Sequence, residues 1–160
     1  MTDVIWRIDK TKRATTAKTG DGARIAGGRW TSPGYPAIYC AEHLSLAILE
    51  VLVHAPEPSQ RSVPRVCFRI RLDRALVERL PEKQIPAGFS PRTPYAVTRA
   101  VGDAWLRASR RPALSLPSAI VPTESNYILN PMHPDFDRIP WGPNQPIVVD
   151  DRFWMVGPVE

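Results

Sequence analysis

Eighteen prolines are distributed through this chain of 160 residues. Proline locks its φ angle and has no N–H to donate, so helix interiors and central strands exclude it. A bundle of long helices is ruled out, and many turns and rigid connections are predicted instead. The length suits one domain, spanning residues 1–160, with a real hydrophobic core.

Hydrophobic periodicity places the elements. Residues 4–8 read as a short strand, followed over residues 9–28 by a polar stretch carrying Lys10, Lys12, Arg13, Lys18 and Arg24. That stretch is expected to be a long basic loop. Residues 37–40 look like a buried strand, and residues 43–54, unbroken by Gly or Pro, like a buried helix ended by Pro56 and Pro58. Residues 65–72 alternate, with Val66, Phe68, Ile70 and Leu72 on one face, as a strand with one covered face requires. A short helix is expected over residues 74–80 and a longer one over residues 95–109, with Val97, Val101, Ala104 and Trp105 on its inner stripe. Residues 119–121 and 147–149 suggest further short strands. Elements of both kinds in no regular alternation predict an α+β fold rather than a doubly wound sheet.

The net charge of +5 is compatible with a nucleic acid, a polyphosphate ligand or an acidic partner, and selects none of them. Cys40 and Cys67 lie in apolar stretches without metal-ligand spacing and are expected to be buried, reduced thiols. No metal is expected. The first ten residues lack the apolar core of a signal peptide, and no run reaches the roughly 18 apolar residues of a membrane span. A cytoplasmic protein without membrane contact is the expectation.

Glu50 is the most informative residue. It is the sole polar side chain between Leu46 and Val53, and helical spacing puts it on a face with Leu46, Leu49 and Val53. A carboxylate there must be paired, hydrogen-bonded or neutralised. It either carries chemistry or makes a structural ion pair. Gly27-Gly28 permits close approach of backbone to a ligand, and Arg29 directly after it can clamp a phosphate or a carboxylate; the same tripeptide also occurs in plain turns. Tyr39, on the strand before the Glu50 helix, can offer a ring face to a planar ligand or simply pack in the core. Residues 116–136 gather Ser118, Glu124, Asn126, Asn130, His133 and Asp135 in a turn-rich stretch of the kind that carries function. A Ser118–His133–Asp135 triad is rejected, because no Gly-x-Ser-x-Gly turn exposes the serine.

Taken in order, Gly27-Gly-Arg-Trp30, Ile38-Tyr39, the segment from Leu46 through Glu50 to His54, Pro117-Ser118 and the run from Asn126 to Phe136 resemble the RES-domain family. The resemblance extends from about Trp6 to Phe153 and assigns the family's characteristic residues to Arg29, Glu50 and Ser118, with Tyr39 and Asn126 as further pocket residues. It implies a fold similar to ADP-ribosyltransferase toxins, NAD as the substrate, and a Xre-type antitoxin as partner. By the same resemblance Glu50 and Arg29 are catalytic, while Arg29, Tyr39, Ser118 and Asn126 bind NAD. The implied reaction cleaves the nicotinamide–ribose bond, through an oxocarbenium-like transition state. Whether the acceptor is water, phosphate or a cellular protein stays open. The alternatives are a non-enzymatic basic module that binds nucleic acid through Lys10 to Arg24 and Arg107 to Arg111, and an RNase-type toxin. The first lacks a nucleic-acid-binding motif and leaves Glu50 without a purpose; the second lacks a suitable His pair.

Overall fold

A computed structural model describes residues 1–55 and 57–154. Seven strands form one mixed sheet: β1 (Thr2–Lys10), β2 (Ile38–Ala41), β3 (Arg65–Asp73), β4 (Val77–Arg79), β5 (Ala113–Pro117), β6 (Ser125–Leu129) and β7 (Gln145–Ile147). Their order across the sheet is β4-β5-β6-β2-β1-β3-β7, antiparallel throughout except between β4 and β5. Four α-helices, α1 (Asp21–Ala26), α2 (Leu44–His54), α3 (Pro58–Arg61) and α4 (Tyr95–Ala108), complete an α+β fold. Among the described residues no helix is long and apolar enough to cross a membrane.

Strand alternation sorts the core into two faces. Ile5, Ile38, Cys40, Phe68, Ile70, Tyr127 and Leu129 pack together on one. On the other, Leu114, Leu116 and Ile128 meet Trp30, Trp105 and Leu106, and Ala41 meets Leu46 and Ala47 of α2, with Trp6 and Ile8 beside them. Both cysteines are free and buried, and burial raises both thiols above the usual range.

The arrangement of β1 matters most for the site. It pairs with β3 along its whole length, from Thr2 opposite Asp73 to Lys10 opposite Arg65. With β2 it shares a single register pair, Trp6 opposite Ala41. Beyond that pair the two strands part. The Arg7 guanidinium spans the seam, donating to the Tyr39 carbonyl at 3.1 Å.

Several expectations are corrected. Residues 9–28 are not one loop: β1 runs on to Lys10, a 3-10 helix covers Thr11–Thr16, and α1 follows after Gly20, which takes the left-handed conformation. Ala17 and Ala23 anchor this stretch in the core, and small anchors of this kind leave no amphipathic signal. Residues 74–80 hold a 3-10 turn and a strand rather than a helix. The Asp73 carboxylate accepts from the Ala75 N–H at 3.0 Å and ends β3 there, and β4 then pairs with β5. Residues 119–121 form a turn joining β5 to β6, two strands the periodicity did not reveal. The last strand lies two residues earlier than expected, and Val148 is 91% exposed.

In α4 the expected stripe is only partly right. Trp105 is buried, but Val97 is 47% exposed and Ala104 faces solvent. The buried side is Thr98, Gly102, Asp103, Trp105 and Leu106. Polar residues occupy it because this helix holds a loop by hydrogen bonds as well as by packing.

Candidate active site

The loop held by α4 carries Arg29. The hydroxyl of Thr98 donates to the Arg29 carbonyl, and Arg99 Nε donates to the Gly28 carbonyl at 2.8 Å. The Asp103 carboxylate accepts from both the N–H and the hydroxyl of Ser32, at 2.9 and 2.6 Å. Gly102 is where the loop crosses the helix: a Cβ there would stand 1.8 Å from the Trp30 carbonyl oxygen. Arg29 is thus presented by a backbone bonded to α4 at residues 28, 29 and 32 and in close contact with it at Trp30.

Tyr39 supports the same loop from the sheet side. Its hydroxyl accepts from the Trp30 N–H at 3.1 Å and pairs with the Thr31 hydroxyl at 2.8 Å. The ring lies against Gly28, where a Cβ would come within 2.5 Å of the phenolic oxygen. The close approach inferred for this glycine is therefore to Tyr39 of the protein itself. Burial pushes the Tyr39 hydroxyl up to about 12, against a usual 10, with the Thr31 and Trp30 bonds acting the other way. A hydroxyl that holds its proton more tightly when folded contributes stability that is complete below pH 10 and lost as the pH rises toward 12. Urea titrations at pH 9 and pH 11 should show that loss, and Tyr39→Phe should make it smaller.

Glu50 comes from α2. Ala47, Glu50, Val51 and His54 form one stripe of that helix, and the stripe walls a cavity of about 690 Å³. Val53 lies off this stripe and is 58% exposed, so the expected companion face is rotated toward Ala47 and His54. Glu50 itself is half-buried. Its Oε1 accepts from Asn126 Nδ2 at 2.7 Å, and its Oε2 lies 3.6 Å from His54 Nε2. Asn126 sits on β6 opposite Ala41, which places it beside the seam between β1 and β2. Its own Oδ1 is buried and has no hydrogen-bond partner among the described residues. A buried acceptor left unmatched is costly.

The same cavity is lined by Arg29, Tyr39, Asn126 and Glu50, so the structure brings together four of the five expected residues. Ser118 is apart from them. It is fully buried, and its hydroxyl accepts from the N–H groups of Ile120 and Val121, each at 3.1 Å. It fixes the turn that sets Ala119 in the cavity wall. Sequence reasoning missed Arg7 and Asp9, which also line the cavity and form an ion pair at 2.5 Å. Their signal was two opposite charges two apart in an apolar strand, hence on one face. Arg99 and Tyr95, also in the wall, went unnoticed because α4 reads as a plain amphipathic helix.

Fold and site together define an α+β domain with a cleft along a parted sheet seam, largely apolar in lining but carrying one carboxylate–amide pair and several arginines. The chain belongs to the RES-domain family, whose model, described as "RES domain", matches residues 4–150. It is 36% identical over 135 residues to "Toxin Res" of Photorhabdus laumondii, covering 84% of this chain and 86% of that one. It is 32% identical over 142 residues to the "Prs ADP-ribosylating toxin" of a Sphingobium species, covering 84% and 86%. A solved structure, that of the M. tuberculosis MbcT-MbcA toxin-antitoxin complex, contains a similar fold with a TM-score of 0.73 at 19% identity, covering 92% of this chain and 85% of that one.

Proposed function

We propose that this protein is a toxin that consumes NAD, breaking the bond between nicotinamide and ribose and passing ADP-ribose to a protein side chain, phosphate or water. The observation that carries the reading is the Glu50–Asn126 pair, 2.7 Å apart in the wall of the cavity that Arg29 also lines. As the bond between the nicotinamide nitrogen and ribose C1′ breaks, its electron pair leaves with neutral nicotinamide. The ribose gains positive character, which a nearby carboxylate stabilises. The acceptor then forms the new bond to C1′ and loses its proton. Glu50 is the stabilising carboxylate, Asn126 orients it through the Nδ2 bond, and Tyr39 and Ser118 hold the walls in place. Membership of the RES-domain family supports this reading, as does the relative named as an ADP-ribosylating toxin. An antitoxin partner, of the Xre type that the family resemblance implies, fits the toxin-antitoxin neighbour and would restrain the activity by covering the cavity.

Incubating the purified protein with NAD and measuring free nicotinamide tests the reaction, and no release above a protein-free control would overturn it. Radiolabelled ADP-ribose separates the acceptors. In this reading Arg29 exchanges its bonds to the Thr93 and Pro91 carbonyls for a phosphate, which it binds as a charged fork. Calorimetry should find NAD affinity in Arg29→Ala reduced roughly tenfold or more, the scale of one charge-assisted hydrogen bond. Arg29→Lys should recover only part, since a point charge lacks the fork. Unchanged affinity in the alanine variant would remove Arg29 from the site.

A further inference from the structure

Two guanidinium groups share one ring at the edge of the cavity. Arg29 Cζ lies 4.8 Å from the centroid of Tyr95, and Arg99 Cζ lies 5.2 Å from the same centroid. Both residues line the cavity. Arg29 donates to the carbonyls of Thr93 and Pro91, at 3.4 and 3.2 Å, and Arg99 to that of Gly28. Among the described residues neither makes an ion pair, whereas Arg7, Arg24, Arg74, Arg110, Arg138 and Arg152 each meet a carboxylate. Space for the second guanidinium is made by Gly27, where a Cβ would stand 2.9 Å from Arg99 Nη2. Like charges gathered on one ring repel, and the ring face offsets this only in part. A ligand with two adjacent negative charges turns the repulsion into attraction.

We propose that Arg99 is a second phosphate-binding residue, forming with Arg29 a clamp for a diphosphate group, and that Tyr95 is the platform fixing the spacing of the two forks. The inference rests on the reading of the cavity as an NAD site and names the part of NAD that this end would take. The Glu50–Asn126 pair is left for the ribose that reacts. Planar guanidinium forks suit phosphate oxygens, and two of them suit two linked phosphates.

The test is calorimetric titration of the unaltered protein, Arg99→Gln and Arg99→Lys with NAD, ADP, pyrophosphate and nicotinamide riboside. Both variants lose the Nε bond to Gly28, so a difference between them reads charge at the ligand rather than support of the loop. Arg99→Gln is expected to weaken NAD, ADP and pyrophosphate about tenfold or more, with nicotinamide riboside unchanged and Lys recovering part. Equal losses in Gln and Lys, or NAD affinity untouched in Gln, would overturn the clamp. In the second case NAD binding itself would stand. If the unaltered protein ignores NAD but binds ADP and pyrophosphate with the same dependence on Arg99, the clamp holds and the NAD reading fails. Binding of none of the three overturns both. Should Arg99→Gln not fold, Tyr95→Leu decides, because it removes the platform and spares the Gly28 bond: ADP affinity should fall several-fold, and an unchanged value overturns the proposal.

Discussion

Glu50→Gln is expected to leave a folded protein that releases nicotinamide at least about a hundredfold more slowly, the scale of losing one preorganised charge facing a developing one. The substitution keeps size and shape. The amide can still accept from Asn126 Nδ2, the 2.7 Å bond that fixes the side chain, and Glu50 is half-buried rather than sealed in the core. What is lost is negative charge where the ribose becomes cationic, and that matters in the transition state more than in the bound substrate. The expected pattern is thus a fall in kcat with NAD affinity nearly kept. Thermal unfolding checks the fold, and a chromatographic assay for nicotinamide checks the rate. Near-normal turnover would remove Glu50 from the chemistry. An unfolded variant would instead mark Glu50 as a structural partner of Asn126 and His54.

Gly102→Ala should have the largest effect on stability, although residue 102 lies outside the cavity lining. Its Cβ would stand 1.8 Å from the Trp30 carbonyl oxygen and 2.8 Å from the carbonyl carbon, both backbone atoms that no rotamer change can move. Either α4 shifts away from the loop or the loop leaves α4. Both routes break the bonds of Thr98, Arg99 and Asp103 to residues 28–32. Overpacking of this kind costs about 3 kcal/mol, which in a domain of this size lowers Tm by roughly 10 °C. Since the displaced loop carries Arg29, NAD binding should fall as well. Gly22→Ala is the control: Gly22 lies in α1, and its nearest neighbour would be Arg13 Nη1 at 3.9 Å. That variant should be as stable as the parent or slightly more so, since Ala favours helix over Gly. Calorimetric scans of the two give the comparison, and a Tm for Gly102→Ala within a degree or two of the parent would contradict the close crossing.

Legibility in the sequence followed the strength of the local pattern. The helix around Glu50 and the alternating strand from Arg65 were readable because apolar periodicity extends over two or more turns or pleats. β4 and β5 were not, since β4 has three residues, β5 five, and their parallel pairing joins segments 36 positions apart, as Val77 and Ala113 show. Family resemblance picked out five candidate residues, four of which the structure gathers around one cavity, but it did not show what each touches. Gly28 reads as room for a ligand and turns out to be room for Tyr39. Asp103 and Thr98 lie outside the predicted apolar stripe, and their roles exist only because a loop about 70 residues away in sequence docks on α4. Arg99 was missed for the same reason: Tyr95 stands one helical turn before it, but Gly28 reaches it only in three dimensions.

The seam between β1 and β2 gives the sheet an unusual mechanics. One plate is β4-β5-β6-β2 and the other β1-β3-β7, and a single backbone register pair joins them on the line Trp6–Ala41. On the far face the apolar cluster of Ile5, Ile38, Cys40, Phe68 and Leu129 runs under both plates without a break. A continuous apolar layer on one face therefore underlies a backbone joined at a single register pair. Rotating one plate against the other would break few backbone hydrogen bonds but would shear the apolar layer and the packing of Trp6 and Ile8 on α2. Arg7 bridges the seam, tied to the Tyr39 carbonyl of one plate and to Asp9 of its own. Across the seam the two plates are thus held by one backbone pair, one arginine and shared apolar packing rather than by a ladder.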